Sequence, residues 1–129
     1  MTTPEDIAAA LRNHAEGSYC LAAAAELLIA QAWLYRDDFA SRFVTVCLSP
    51  GSGKPMAVID WPAAVEALGA SLPCSGGEQR MLKLTASLAD GVPVDLRDSV
   101  TGLDDRNLQL LITAVRHASG KTARDLRKF

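Results

Sequence analysis

The stretch from Gly17 to Tyr35 constrains this chain more than any other. It is the most apolar segment, and alanine supplies much of that character. Wound as a helix, it places Leu21, Ala24, Ala25 and Leu28 at one helical spacing and Leu27 and Leu34 at another. A helix that is apolar on nearly every face needs cover on all sides. Glu26 lies at its centre and Gln31 beyond. A central charge costs roughly 2.5–3.5 kcal/mol on insertion into a bilayer, which alanines do not offset. The stretch is therefore expected to be the central helix of a water-exposed fold, running from Tyr19 to about Arg36 with Ser18 as its cap.

The cover for that helix is written in the punctuation around it. Thr3, Pro4, Glu5 and Asp6 read as a cap, a proline at the first helical position and acids in the first turn, ahead of the apolar Ile7 and Leu11. Asp37 and Asp38 are expected to break the central helix, with one more turn from Phe39 to Arg42. Val44–Leu48 and Met56–Ile59 read as strands joined by the seven turn-forming residues Ser49–Pro55. Asp60 caps a short helix through Val65 and Leu68. Ser75-Gly76-Gly77-Glu78 is a capping box that opens a helix closed at Gly91. Val94–Val100 forms a short turn or helix, and Asp104 caps a last helix on which Leu108, Leu111, Ile112 and Val115 share a face. The prediction is a mainly α fold: a compact helical domain of about five to six helices with one β-hairpin around residues 44–59.

The chain has 129 residues, 49% of them hydrophobic and 22% charged. That suffices for one core and is too little for two domains. The expected division is a single globular domain over 1–120 and a basic C-terminal tail over 121–129. Net charge is −2. Residues 1–115 hold 8 basic and 14 acidic side chains, net −6, and residues 116–129 hold 5 basic and 1 acidic, net +4. An acidic body argues against a dedicated nucleic-acid or membrane-surface binder, leaving a weak contact through the tail. Three cysteines without a C-x-x-C pair, and an acidic rather than basic start, suit a reducing cytoplasm and no export.

Several short motifs suggest chemistry. Gly51-Ser52-Gly53-Lys54 resembles the end of a phosphate-binding P-loop. However, Leu48 stands where that loop needs a glycine, and Pro55 follows the lysine where a Ser or Thr and a helix belong. Ser75–Arg80 resembles the signature motif of ATP-binding-cassette ATPases, but no Walker A precedes it. Cys74 and Arg80 form C-x5-R, similar to the phosphate loop of cysteine-dependent phosphatases and related arsenate reductases. That resemblance implies Cys74 as nucleophile, with Ser75, Gly76, Gly77 and Arg80 holding the anion. Against it, Glu78 puts a carboxylate inside the cradle, and Gly69–Pro73 is not the buried strand the motif should follow. His14 and His117 lie on different helices without ligand spacing, so no metal is expected, and no cofactor motif is complete.

Trp33, Tyr35, Phe39 and Phe43 are four of seven aromatics and are interleaved with Arg36 and Arg42. These residue types dominate binding hot spots, so this cluster is the candidate partner-binding surface; a core corner is the competing explanation. The stretch Leu72–Leu82, with Val92–Asp98 and Thr101–Asn107, resembles small proteins of unknown activity from high-GC actinobacteria. That resemblance implies a cytosolic single domain and no mechanism. The functional expectation is a non-enzymatic protein-interaction or regulatory module that binds a protein partner, with a homo-oligomer as a further option. The alternatives are a DNA-associated winged-helix-like regulator with Lys54 at the hairpin tip, and a phosphatase-like enzyme at Cys74 and Arg80.

Overall fold

In the computed structural model, which describes residues 2–121, the first helix α1 spans Pro4–His14. Thr3 accepts the Asp6 N–H and Asp6 returns the bond to the Thr3 N–H, so a full capping box stands where an N-cap was expected. Helix α2, Tyr19–Ala30, is capped by Ser18 through the Leu21 N–H. Ala23 and Leu28 on α2 are fully enclosed, and the helix packs against α1, α5 (Gly76–Asp90) and α7 (Asp105–Ala118). Two buried clusters meet on it. Ala25 and Leu28 face one built from α1, the aromatic segment, the hairpin, α4 (Trp61–Ala67) and one side of α5. Ala23 and Leu27 face another, built from Met81, Leu84, Leu111 and Ala114. In the middle of the helix Glu26 turns outward, where Arg12 donates two bonds to its carboxylate at 2.8 and 3.0 Å.

The central helix is shorter than expected, ending at Ala30 rather than near Arg36. Ala32 takes the left-handed conformation (φ 63°), and Trp33–Tyr35 form a single 3-10 turn. The cause is the indole. A buried tryptophan needs a partner for its N–H, and Trp33 Nε1 donates to Gln31 Oε1 at 3.1 Å. The amide of Gln31 in turn donates to the Leu27 carbonyl and to Thr85 Oγ1 on α5. Asp37 and Asp38 do not end a helix but begin one, α3 (Asp37–Phe43), where acids suit the N-terminal end of the helix dipole.

Strands β1 (Val44–Leu48) and β2 (Pro55–Ile59) pair antiparallel with Val44 opposite Ile59 and Leu48 opposite Pro55, so Pro55 belongs to the strand and the loop is one residue shorter than expected. Asp60 caps α4, and the Ser75–Glu78 box caps α5 with Gly91 closing it in the left-handed region. A five-residue α6, Leu96–Val100, and α7, capped by Asp104, complete the described residues. The result is mainly α with one two-stranded hairpin, seven α-helices against the five to six expected, because α3 and α6 are each complete helical turns. The basic tail at 121–129 lies outside the described residues beyond Lys121. No helix among the described residues is long and apolar enough to cross a membrane.

The α7 face is corrected. Leu111 and Ala114 are the buried residues, while Leu108, Ile112 and Val115 are 39%, 43% and 49% exposed. The helix is rolled so that Leu111 and Ala114 meet the Ala23 and Leu27 side of α2.

Two consequences are measurable. An L-residue in the left-handed region costs roughly 1–2 kcal/mol, and glycine's greater freedom when unfolded returns part of that. Ala32→Gly is therefore expected to stabilise the fold by about 0.5–1 kcal/mol, seen as a rise of a few degrees in Tm; a fall would show that the turn is not strained. The Arg12 bonds hold the Glu26 carboxyl below its ordinary range. A depressed carboxyl contributes stability above its unfolded pKa and loses it as pH falls through the folded value. Both side chains are about half exposed, so Glu26→Gln should cost at most about 1 kcal/mol at pH 7. In denaturant titrations that difference should vanish as pH drops through the carboxylate range.

Candidate functional site

The Cys74 loop shows how a phosphate-loop pattern arises from capping alone. Ser75 Oγ accepts the Glu78 N–H at 3.1 Å, and the Glu78 carboxylate accepts the Ser75 N–H at 2.9 Å. A carboxylate thus occupies the place a dianion would take. Burial pushes the Cys74 thiol above its ordinary value; Glu78 adds to this, and Arg36 opposes it. Nucleophilic cysteines are shifted the other way. The cation that acts on Cys74 is Arg36, which donates to the Asp38 carboxylate and to the Pro73 carbonyl. Arg80 belongs to a different wall. It lines a hollow with Lys83 and Arg97, and Cys74 is no part of that lining. The two ends of C-x5-R are therefore not brought together. The helix start carrying Ser75, Gly76 and Gly77 is half-exposed to exposed, with Gly76 in the lining of the same hollow.

The aromatic cluster divides. Trp33, Phe39 and Phe43 are buried in the larger core cluster, with ring centroids 5.3 Å apart for the first pair and 5.6 Å for the second. As candidates for partner contact these three are corrected: with few aromatics available, the core takes the largest rings. Tyr35 is exposed and donates its hydroxyl to Glu5 at 2.7 Å. Arg36 lies over the Trp33 ring and Arg42 over the Phe43 ring. Arg42 also donates to the Ser71 carbonyl and hydroxyl. The arginines that look like hot-spot residues are thus seals on the rim of the core.

Exposed apolar side chains lie elsewhere. On β1 they are Val46 and Leu48, 44% and 68% exposed, on the face shared with the buried Ala57. On α7 they are Leu108, Ile112 and Val115, a row with the i, i+4, i+7 spacing of one helix face. Asp105 sits at the acidic start of that helix and Arg116 in its basic last turn. Arg116 Nε is buried with no hydrogen bond among the described residues. Lys54 at the hairpin tip stands 3.9 Å from Glu16, which offsets its charge.

His14 lines a hollow beneath the hairpin beside Trp61. His117 lines another, of about 650 Å³, with Tyr19 and the Arg12–Glu26 pair. No group of three His, Cys, Asp or Glu side chains among the described residues is arranged to hold a metal ion. Compared with known proteins, the chain matches no family model, no curated protein and no solved structure.

The thiol order is testable. Cys20 and Cys47 are exposed and Cys74 is half-buried, with its thiol pushed up. Under limiting iodoacetamide near neutral pH, mass spectrometry should find Cys20 and Cys47 alkylated well before Cys74. Cys74 reacting first would mean an activated thiolate and would reopen the phosphatase-like assignment.

Proposed function

We propose that this chain is a non-enzymatic interaction module whose partner is a second copy of itself, docked antiparallel along α7. The observation that carries the reading is the open row Leu108, Ile112 and Val115. Single apolar residues on a surface are ordinary, whereas three in one row along a helix form a stripe that a second helix can cover.

Charge favours a second copy as the occupant. The two-fold axis of an antiparallel pair keeps the same flank of both helices on the same side. Asp105 and Arg116 are eleven positions apart, three helical turns, and so lie on one flank beside the row. In the pair each Asp105 meets the partner's Arg116, twice, while Leu108 meets the partner's Val115 and the two Ile112 side chains meet near the axis. The opposed helix dipoles add to this arrangement. A parallel pair would instead place acid against acid at one end. One helix pair is at the small end of specific interfaces, and association entropy opposes it. The dimer is accordingly weak, with Kd on the order of 10 µM.

Sedimentation equilibrium over a hundredfold range of concentration tests the reading. The expected result is a monomer–dimer equilibrium that Ile112→Asp shifts to monomer, with an unchanged circular-dichroism spectrum and a fall in Tm of a few degrees at most, because the side chain is 43% exposed. Asp105→Arg should weaken the dimer, and Asp105→Arg combined with Arg116→Asp should restore it. A strict monomer at all concentrations, or a dimer indifferent to Ile112→Asp, removes α7 as the interface.

A further inference from the structure

We propose that the hollow between α5 and α6 binds the phosphate group of a small phosphate monoester. The hollow is about 590 Å³ and is lined by Gly76, Gln79, Arg80 and Lys83 of α5, by Arg97, Asp98 and Ser99 of α6, and by Thr101. Three cations converge there against one acid, in a body whose first 115 residues carry net −6. None of the three makes a salt bridge or a side-chain hydrogen bond among the described residues, whereas Arg12, Arg36 and Lys54 pair with carboxylates and Arg42 and Arg106 donate to carbonyls.

That arrangement sets like charges side by side with no carboxylate paired to any of them. Arg80 and Lys83 are i, i+3 neighbours, so they repel along the helix face. Both are half-buried, which deprives them of part of their hydration without supplying a counter-charge. Arg97 brings a third positive charge from the facing element. A local rule broken without structural return points to a ligand.

Ser99 adds a hydroxyl to the same wall. It is 4% exposed, it lines the hollow, and its hydroxyl makes no hydrogen bond among the described residues. The hydroxyl is not among the buried polar atoms left without a partner, so its oxygen keeps access to the hollow and can donate to a phosphate oxygen. The Gly76 N–H is another free donor: it opens α5 and donates to no protein acceptor among the described residues, the Ser75 cap being engaged with Glu78. The Thr101 hydroxyl proton is already given to the Arg97 carbonyl at 2.6 Å, so Thr101 shapes the wall rather than donating. Asp98 disfavours an anion on its own side and so directs the phosphate toward Arg80 and Ser99.

The donor set selects the ligand. Guanidinium groups give paired N–H bonds to phosphate oxygens, and Lys83 adds a point charge. The volume exceeds what a bare phosphate fills and lies in the range of small-molecule sites, which leaves room for an organic group of the size of a triose or pentose. The site is separate from the α7 surface: its variants leave Leu108, Ile112 and Val115 untouched, so either proposal can fail alone.

The experiment is an amide chemical-shift titration of the full chain at constant 150 mM chloride, with inorganic phosphate and with ribose 5-phosphate as probes. Saturable shifts are expected at Gly76, Ser99 and Thr101, with the phosphoester binding several-fold more tightly than phosphate. Arg97→Gln, at an exposed position, should weaken both probes at least tenfold while leaving the rest of the spectrum unchanged. Ser99→Ala should weaken them less and should not unfold the chain. Shifts that never saturate, or that survive Arg97→Gln together with Lys83→Gln, overturn the site. Equal affinity for phosphate and phosphoester overturns the assignment of an organic ligand.

Discussion

The enclosure of α2 is the constraint on which the rest of the structure depends. A helix built of Ala, Leu and Ile on almost all sides has no stable place at a surface. Its neighbours must therefore surround it, and they do so unequally. The alanines at 23, 24 and 25 let α7 and α5 approach closely, whereas Leu28 projects into the larger cluster, where the bulky rings lie. Arg12 meets Glu26 at the one outward position of the helix middle. The same enclosure explains why a chain this short, with few aromatics, builds two buried clusters rather than one.

A single polar thread passes through this packing. Thr85 is fully buried on α5; its hydroxyl accepts from the Gln31 amide, and the Gln31 carbonyl oxygen accepts from the Trp33 indole. Thr85 also donates to the Met81 carbonyl at 2.6 Å. Buried polar groups that are fully partnered fix one arrangement among many of similar apolar burial. Here the thread sets where α2 stops and which way Trp33 turns. From Trp33 follow the Phe39 and Phe43 stacking and the direction in which β1 leaves α3. The left-handed Ala32 is the local cost of that turn.

Element starts were legible in the sequence because capping is local chemistry. Thr3, Ser18, Asp60, Ser75 and Asp104 all cap as their spacing implies. Faces were less legible. On α7, Leu111 with Ala114 and Leu108 with Ile112 and Val115 both have helical spacing, and only packing against Ala23 and Leu27 of α2 decides which set goes inside. The aromatic cluster misled for a related reason: residue type marks hot spots and core corners alike, and burial separates them. The C-x5-R pattern is the plainest case. Spacing places Cys74 and Arg80 at the two ends of a loop, but the capping box winds the intervening residues into the first turn of α5 and sends Arg80 to another side. Lys83, Arg97 and Ser99 carried no signal in sequence, since no motif joins residues of α5 to those of α6.

The two surfaces are not mechanically independent even though they are chemically separate. Thr101 forms part of the wall of the cationic hollow, and Asp104, three residues on, caps α7 through the Asn107 N–H. Between them Gly102 takes a left-handed conformation, and Leu103 packs against the smaller core cluster. An anion bound at Ser99 adds stability to α6 and hence to the start of this connection. Whatever part of that stability reaches the Asp104 cap acts on the N-terminal turn of α7, where Asp105 begins the flank that would face a second copy in the proposed pair. Linkage requires the effect to be reciprocal: if the ligand strengthens pairing by some factor, pairing tightens the ligand by the same factor. With only a three-residue link and no shared side chain, that factor is small. The geometry thus favours two sites that sense each other weakly over a single composite one.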